Sequence, residues 1–179
     1  MTARLLYELE ALDREREARE EALARVESEL GQRQEVAQAE EAVAEAQRYL
    51  QELQKEELDA NWALDDIQQK IRTMEEKLYS GKVTNPKELS SMQQDVELLA
   101  EKRRKLEDKV LGVMEKIEDA RESLHNRMVH LRDVELRWQE RQQELAREQK
   151  ELKDAIASLK GQREAQASRI APAHLQQYE

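Results

Sequence analysis

Apolar residues recur at alternating intervals of three and four along the second half of the chain, as they do in a coiled coil. One column of this pattern steps by seven from Leu89 to Leu159, and Arg103 is its only polar member. The apolar members are Leu89, Val96, Val110, Ile117, Leu124, Leu131, Trp138, Leu145, Leu152 and Leu159. The companion column starts at Met92, is apolar through Ala120 and then becomes mixed. Such spacing predicts a long helix that packs one stripe, the seam, against a partner helix.

The first half shows the same rhythm less regularly. Its seam is predicted at Leu5, Leu9, Leu12, Leu23, Val26 and Leu30, and again at Leu50, Leu53, Ala60, Leu64, Ile67, Ile71, Met74 and Leu78. Between them, an Ala-rich stretch over residues 33–50 shifts the phase, and we expect it to change the supercoil locally. Gly31 and Gly112 are predicted to lie inside helices, where each costs about 1 kcal/mol relative to Ala.

The stretch Leu78–Leu89, reading LYSGKVTNPKEL, is the place where the helix must stop. Gly81 suits a helix C-terminal cap. Asn85 suits the N-terminal cap of the next helix, with Pro86 at the first helical position and Glu88 at the third. The two halves are therefore expected to fold back on each other through a short loop.

A single antiparallel register aligns most of the two seams. It places Ile71 opposite Val96, Leu53 opposite Val113 and Leu23 opposite Leu145. Far from the loop the same register predicts polar layers, with Arg19 opposite Glu148 and Val26 opposite Arg141. A charged pair in a seam favours a particular register more than it favours stability.

These patterns predict an all-α fold, a long antiparallel two-helix coiled-coil hairpin. Its parts are a first arm (residues 1–78), a tip loop (79–86), a second arm (87–168) and a C-terminal segment (169–179) in which Pro172 precedes a short helix. A hairpin satisfies its own seam, so a monomer is the simplest expectation. A domain-swapped dimer with a straightened loop is the alternative.

Composition agrees with this architecture and excludes most chemistry. Of the 179 residues, 39% are charged and 3% aromatic, and there is no Cys, which is typical of a coiled coil and rules out a thiolate zinc site. His125 and His130 do not share a helical face, so no metal site is predicted. Without a pocket to desolvate carboxylates or a phosphate-binding loop, we expect no enzyme, no catalytic residue and no cofactor. No apolar run reaches membrane-spanning length, and a cytoplasmic location is expected.

The net charge of −10 argues against broad nucleic-acid binding, because phosphate contacts need clustered positive charge. The tip is different, since Ser80–Lys87 contains two lysines and no carboxylate. The candidate partner-binding residues are Tyr79, Lys82, Val83, Thr84, Asn85 and Lys87. The alternative is that these residues serve only as turn chemistry and for solubility. Trp138 is predicted to pack near Leu30, whereas Trp62 lies off the seam.

The run LYSGKVTNPKELSSMQQDVELL (Leu78–Leu99) and the tail SRIAPAHLQQYE (Ser168–Glu179) resemble a bacterial family in which a coiled-coil hairpin precedes a four-cysteine zinc ribbon. The Helicobacter flagellar regulator and a chlamydial secretion-associated protein are members. The resemblance implies a non-enzymatic adaptor whose partner is an alternative sigma factor or a flagellar or secretion component. It also implies that residues 169–179 are a linker, with zinc expected only where the intact protein carries a ribbon.

Three functions remain open at this point. The first is an adaptor or scaffold that binds protein partners through its tip or its arms. The second is an RNA-binding hairpin that uses the basic tip, and the third is a purely structural spacer. Net charge favours the first over the second.

Overall fold

The computed structural model describes residues 2–178, which form four α-helices and no strand. Helix α1 is Thr2–Glu29, α2 is Gln34–Tyr79, α3 is Pro86–Ala167 and α4 is Pro172–Tyr178. Helices α1 and α2 each pack against α3, which continues without interruption for 82 residues. The predicted all-α coiled-coil hairpin is confirmed. None of the helices in the described part of the chain combines the length and apolar character that a membrane span requires.

The chain divides into two compact units. The tip unit comprises Gln38–Arg132, and the terminal unit comprises Met1–Ala37 together with Asp133–Glu179. In the tip unit, Leu53 of α2 and Val113, Ile117 and Ala120 of α3 form a buried cluster, with Leu50 packed against it. This cluster agrees with the predicted pairing of Leu53 with Val113. An ion pair of 3.4 Å between Glu56 Oε1 and Lys109 Nζ flanks the same seam.

The seam of α3 follows the sequence pattern closely. All eleven positions from Leu89 to Leu159, Arg103 included, are buried or half-buried. The companion column is buried at Val113, Ala120 and Val134, and exposed at Arg127, Arg141 and Glu148. Its change from apolar to mixed composition after Ala120 therefore corresponds to real differences in burial.

The seam of α2 is more regular than the sequence indicated. From Val36 to Leu78 one heptad phase holds, and its members are buried or half-buried at Val36, Ala39, Val43, Ala46, Leu50, Leu53, Ala60, Leu64, Ile67, Ile71, Met74 and Leu78. The phase shift predicted over residues 33–50 is confined to the stretch before Val36, and Ala37 and Ala44 are exposed and take no part in the seam.

The irregularity lies just before α2, at a break between α1 and α2. Residues Leu30–Arg33 are non-helical, and Gly31 adopts a left-handed φ of +83°. The prediction that Gly31 lies inside a helix is wrong, whereas Gly112 does lie inside α3. Across the break, the seam phase changes: Val36, and not Ala37, takes the position equivalent to Leu30.

The break also alters the register within the terminal unit. Val26 forms a buried cluster with Leu145 and Leu152, whereas the single predicted register placed Val26 opposite Arg141. Non-helical residues advance farther per residue than the 1.5 Å rise of a helix, so α1 residues meet α3 residues farther along the chain. The predicted Arg19–Glu148 layer is wrong as well: both side chains are exposed, and Arg19 bonds Glu15 at 3.4 Å.

Candidate functional site

The tip is fixed at the end of α2 by a glycine cap. Gly81 has a φ of +70°, a conformation that side-chain-bearing residues rarely adopt. The Ser80 hydroxyl donates to the Lys77 carbonyl at 2.8 Å and accepts a hydrogen bond from the Lys82 N–H at 3.3 Å. The chain therefore leaves α2 in a defined direction.

The start of α3 is fixed by an asparagine cap. Asn85 Oδ1 accepts a hydrogen bond from the Lys87 N–H at 3.1 Å, and the Asn85 carbonyl accepts the first helical bond from Leu89 N–H at 3.0 Å. Pro86 takes the first helical position, where a missing N–H costs nothing. The predicted caps on both sides of the loop are confirmed, so the non-helical tip is Ser80–Asn85.

The six sequence-predicted site residues lie together at this tip. Tyr79 is 81% exposed. Val83 is half-buried, and the exposed members of the set are Lys82, Thr84, Asn85 and Lys87. The structure thus shows a small, exposed, cationic surface; its role in binding stays a prediction.

A groove that the sequence did not reveal lies beside the tip, where α2 faces α3. It has a volume of about 330 Å³. Met74 and Met92 supply its apolar wall. Its remaining lining residues are Asp66, Gln69, Lys70, Thr73 and Lys77. Heptad spacing identifies the two methionines as seam residues, but it carries no information about the space left between them.

A second non-repetitive feature is the break between α1 and α2, which side chains of α3 hold in place. Trp138 Nε1 donates to the Gln32 carbonyl at 2.6 Å, and Gln142 Oε1 accepts from the Gly31 N–H at 2.8 Å. The Arg33 guanidinium lies 5.4 Å from the centroid of the Trp138 ring. The prediction that Trp138 packs in the region of Leu30 is confirmed. The backbone bonds were missed because nothing in the heptad pattern marks them.

The edge of the break is charged. Arg141 Nη2 contacts Glu29 Oε2 at 2.8 Å, and this hydrogen-bonded pair raises the pKa of Arg141 further. Both side chains are about half exposed, so the contact is screened by water. The ion pair therefore shows which residues of α1 and α3 lie opposite each other, but it contributes little to stability.

The far part of the terminal unit contains a polar layer centred on Asp13. Asp13 Oδ1 accepts from Arg163 Nε at 2.7 Å, and Asp13 Oδ2 accepts from the Tyr178 hydroxyl of α4 at 3.2 Å. Asp13 and Arg163 are largely buried, with 14% and 24% of their side chains exposed. Partial burial, followed by the charge and hydrogen bond of Asp13, raises the pKa of Tyr178.

The same layer continues with Glu8 and Gln166. Gln166 is buried, and its Nε2 donates to Glu8 Oε2 at 2.7 Å. Hydrogen bonds from Arg4 and then from Gln166 lower the pKa of Glu8. The apolar heptad pattern does not mark these positions because their side chains are polar, although Gln166 lies one heptad after Leu159 in the seam of α3.

Other candidate chemistry finds no geometric support in residues 2–178. No cluster of three or more His, Cys, Asp or Glu side chains suited to a metal ion occurs in this range. His125 and His130 are both exposed. Trp62 is 66% exposed on α2, consistent with its predicted position off the seam.

The fold and the capped tip define a coiled-coil hairpin of the kind that presents a loop at the end of two long helices. The family model of the CT398-like coiled coil hairpin domain matches residues 8–179, and the chain belongs to this family. Comparison with curated proteins and with solved structures gave no significant match.

Proposed function

We propose that this chain is a non-enzymatic adaptor whose hairpin presents its tip to a protein partner. The observation that carries the proposal is the exposed Tyr79 beside a loop that has two lysines and no carboxylate. Tyrosine is enriched among the residues that dominate protein interfaces. Membership of a coiled-coil hairpin family supports a structural or adaptor role.

The caps at Gly81 and Asn85 support the same proposal. They fix the backbone on both sides of the loop before any partner arrives. A surface that is ordered in advance loses less conformational entropy on binding. The tip is therefore better suited to recognition than an unstructured linker of the same composition.

The resemblance noted in the sequence directs the search for that partner. It favours a cytoplasmic component of transcription, such as an alternative sigma factor, or a flagellar or secretion component. We also propose from this resemblance that residues 169–179 act as a linker and that the intact protein carries a zinc ribbon. The hairpin is proposed to act as a monomer, and light scattering at several protein concentrations separates this from a swapped dimer.

Site-specific photocrosslinking in cells tests the proposal. A benzophenone amino acid replaces Tyr79 at the tip, and the matched control replaces Trp62, an exposed aromatic residue on the arm. We expect a discrete protein adduct from position 79 that position 62 does not give. Introducing Lys82→Glu and Lys87→Glu together should reduce this adduct.

The other outcomes identify the competing functions. An adduct that ribonuclease removes would assign the tip to RNA binding, and the affinity for RNA should then fall steeply with added salt. Equal adducts from the tip and from the arm, or none from either, would favour the structural spacer.

A further inference from the structure

We propose that the groove beside the tip binds an amphipathic protein segment in which an apolar side chain is flanked by carboxylates. This inference rests on the proposed function and specifies the chemistry of its partner. We call the groove, lined by Met74, Met92, Lys70, Lys77 and their neighbours, the methionine groove.

The apolar part of the argument comes from the two methionines. Met74 of α2 and Met92 of α3 are both half-buried, and a volume of about 330 Å³ is open beside them. Methionine is flexible and polarizable, so it adapts its shape to different apolar side chains. A groove of this kind can accept a leucine-like anchor without a rigid, preformed outline.

The seam itself is less completely covered near the tip than farther along α3. Leu89, Met92, Val96 and Leu99 are all half-buried, whereas Val113 and Ile117 are 2% and 3% exposed. Apolar surface thus remains accessible to water on both sides of the methionine groove. Covering it with a partner's apolar side chain is favourable by about 25 cal/mol per Å².

The charges around the groove specify the flanks of the partner. Lys70 and Lys77 lie one heptad apart on the same edge of α2 and both line the groove. Lys70 is held by Asp66 at 2.6 Å, whereas Lys77 forms no ion pair with any residue that the structure describes. These lysines favour carboxylates on the partner through electrostatic complementarity.

A protein segment fits the groove better than a nucleic acid does. Phosphate binding needs clustered cations along a track, whereas this groove has two lysines, one of them paired with Asp66, beside an apolar wall. The net charge of −10 also repels a polyanion, while a short acidic segment needs only the local field of the tip.

Methyl NMR on the full chain tests the proposal, because four of its five methionines (Met74, Met92, Met114 and Met128) serve as reporters. With ¹³C-methyl methionine, the probe is a designed amphipathic peptide in which leucines form one face and glutamates flank it. We expect the signals of Met74 and Met92 to shift, while those of Met114 and Met128, which are about half exposed, stay in place.

Two matched peptides and one matched variant sharpen the test. Replacing the glutamates by lysines, or the leucines by serines, should abolish the shifts. Lys77→Glu should weaken peptide binding by about three- to tenfold, since attraction becomes repulsion. Lys55→Glu, at an exposed position of the same helix, should leave it unchanged. Circular dichroism serves as the control that both variants retain their helices.

Several results would overturn the inference. They are an absence of shifts at Met74 and Met92, equal shifts at all four reporters, and equal binding of the lysine peptide. Shifts caused by a short RNA but not by the acidic peptide would assign the groove to nucleic acid. If photocrosslinking at Tyr79 captures a protein while the acidic peptide fails, the proposed function stands and this inference falls.

Discussion

The indole N–H of Trp138 in α3 donates a 2.6 Å hydrogen bond to the backbone carbonyl of Gln32, in the break between α1 and α2. The Trp138 side chain thus has two roles. It packs in the seam between helices, and it donates a hydrogen bond to a carbonyl that lies outside any helix. Backbone groups at a helix end have no partner within the helix, and a side chain from another helix can supply one.

Replacing Trp138 by Phe keeps an aromatic ring and removes the donor. We expect Trp138→Phe to lower the free energy of unfolding by about 1–2 kcal/mol, from the lost hydrogen bond and reduced packing. Trp62→Phe, at an exposed position, should change it by less than about 0.5 kcal/mol. Urea unfolding followed by circular dichroism makes the comparison. Equal effects of the two substitutions would show that the Trp138 contact contributes nothing.

The glycines at positions 31 and 112 offer a pair of alanine substitutions with opposite expected signs. An added Cβ meets no atom within 4 Å at either site, so space does not decide the outcome. Gly31→Ala should destabilise by about 1 kcal/mol because its φ is +83°. Gly112→Ala, inside α3, should stabilise by about 0.5–1 kcal/mol. Thermal unfolding of the two variants checks the signs, and a stabilising Gly31→Ala would contradict the break.

Asp13 is the centre of the polar layer in the terminal unit. Asp13→Asn removes the charge that Arg163 faces at 2.7 Å in a largely buried position, and we expect a loss of about 1–2 kcal/mol. Asp66→Asn is the matched control, because Asp66 pairs with Lys70 in an exposed contact within one helix. Its effect should stay below about 0.5 kcal/mol. Amide exchange in α1 should quicken in the first variant, and unchanged exchange there would argue against the layer.

The titration of Tyr178 reports whether α4 stays docked on α1. Because burial and Asp13 raise its pKa above the ordinary 10.0, the docked state favours the neutral phenol. Its contribution to stability is complete below pH 10.0 and is lost as the pH rises through the raised pKa. NMR of ¹³C-tyrosine, assigned with Tyr178→Phe, measures the midpoint. Asp13→Asn should lower it, and a midpoint at or below 10.0 in the unmodified chain would show that α4 is not docked.

Sequence spacing was sufficient for the features that depend on local chemistry. The seam of α3 follows from its heptads, and the caps at Gly81 and Asn85 follow from the conformations that these residues favour. Both kinds of signal lie within a few residues of the structure they determine.

The break between α1 and α2 could not be predicted in the same way. Gln32, Arg33 and Gln34 are acceptable helix residues, and Gly31 alone does not end a helix. The break is held by Trp138 and Gln142, which lie more than a hundred residues away in the chain. The methionine groove has the same origin, since its volume depends on how Met74 and Met92 meet.

The polar layer was missed for a different reason. A seam is predicted from apolar residues. Asp13, Arg163 and Gln166 are buried or half-buried as seam residues are, but their side chains are polar. These residues are recognised as a layer only from the structure, in which α1 and α3 lie side by side.

The break has a consequence for how the length of the first arm can vary. In a continuous coiled coil, an insertion that is not a whole heptad rotates the apolar stripe, and the supercoil must locally unwind or overwind to accommodate it. Here the non-helical residues Leu30–Arg33 separate the heptad phase of α1 from that of α2, and both helices pack against one continuous α3. A residue gained or lost between Leu30 and Val36 would therefore leave the heptad phase from Val36 to the tip unchanged.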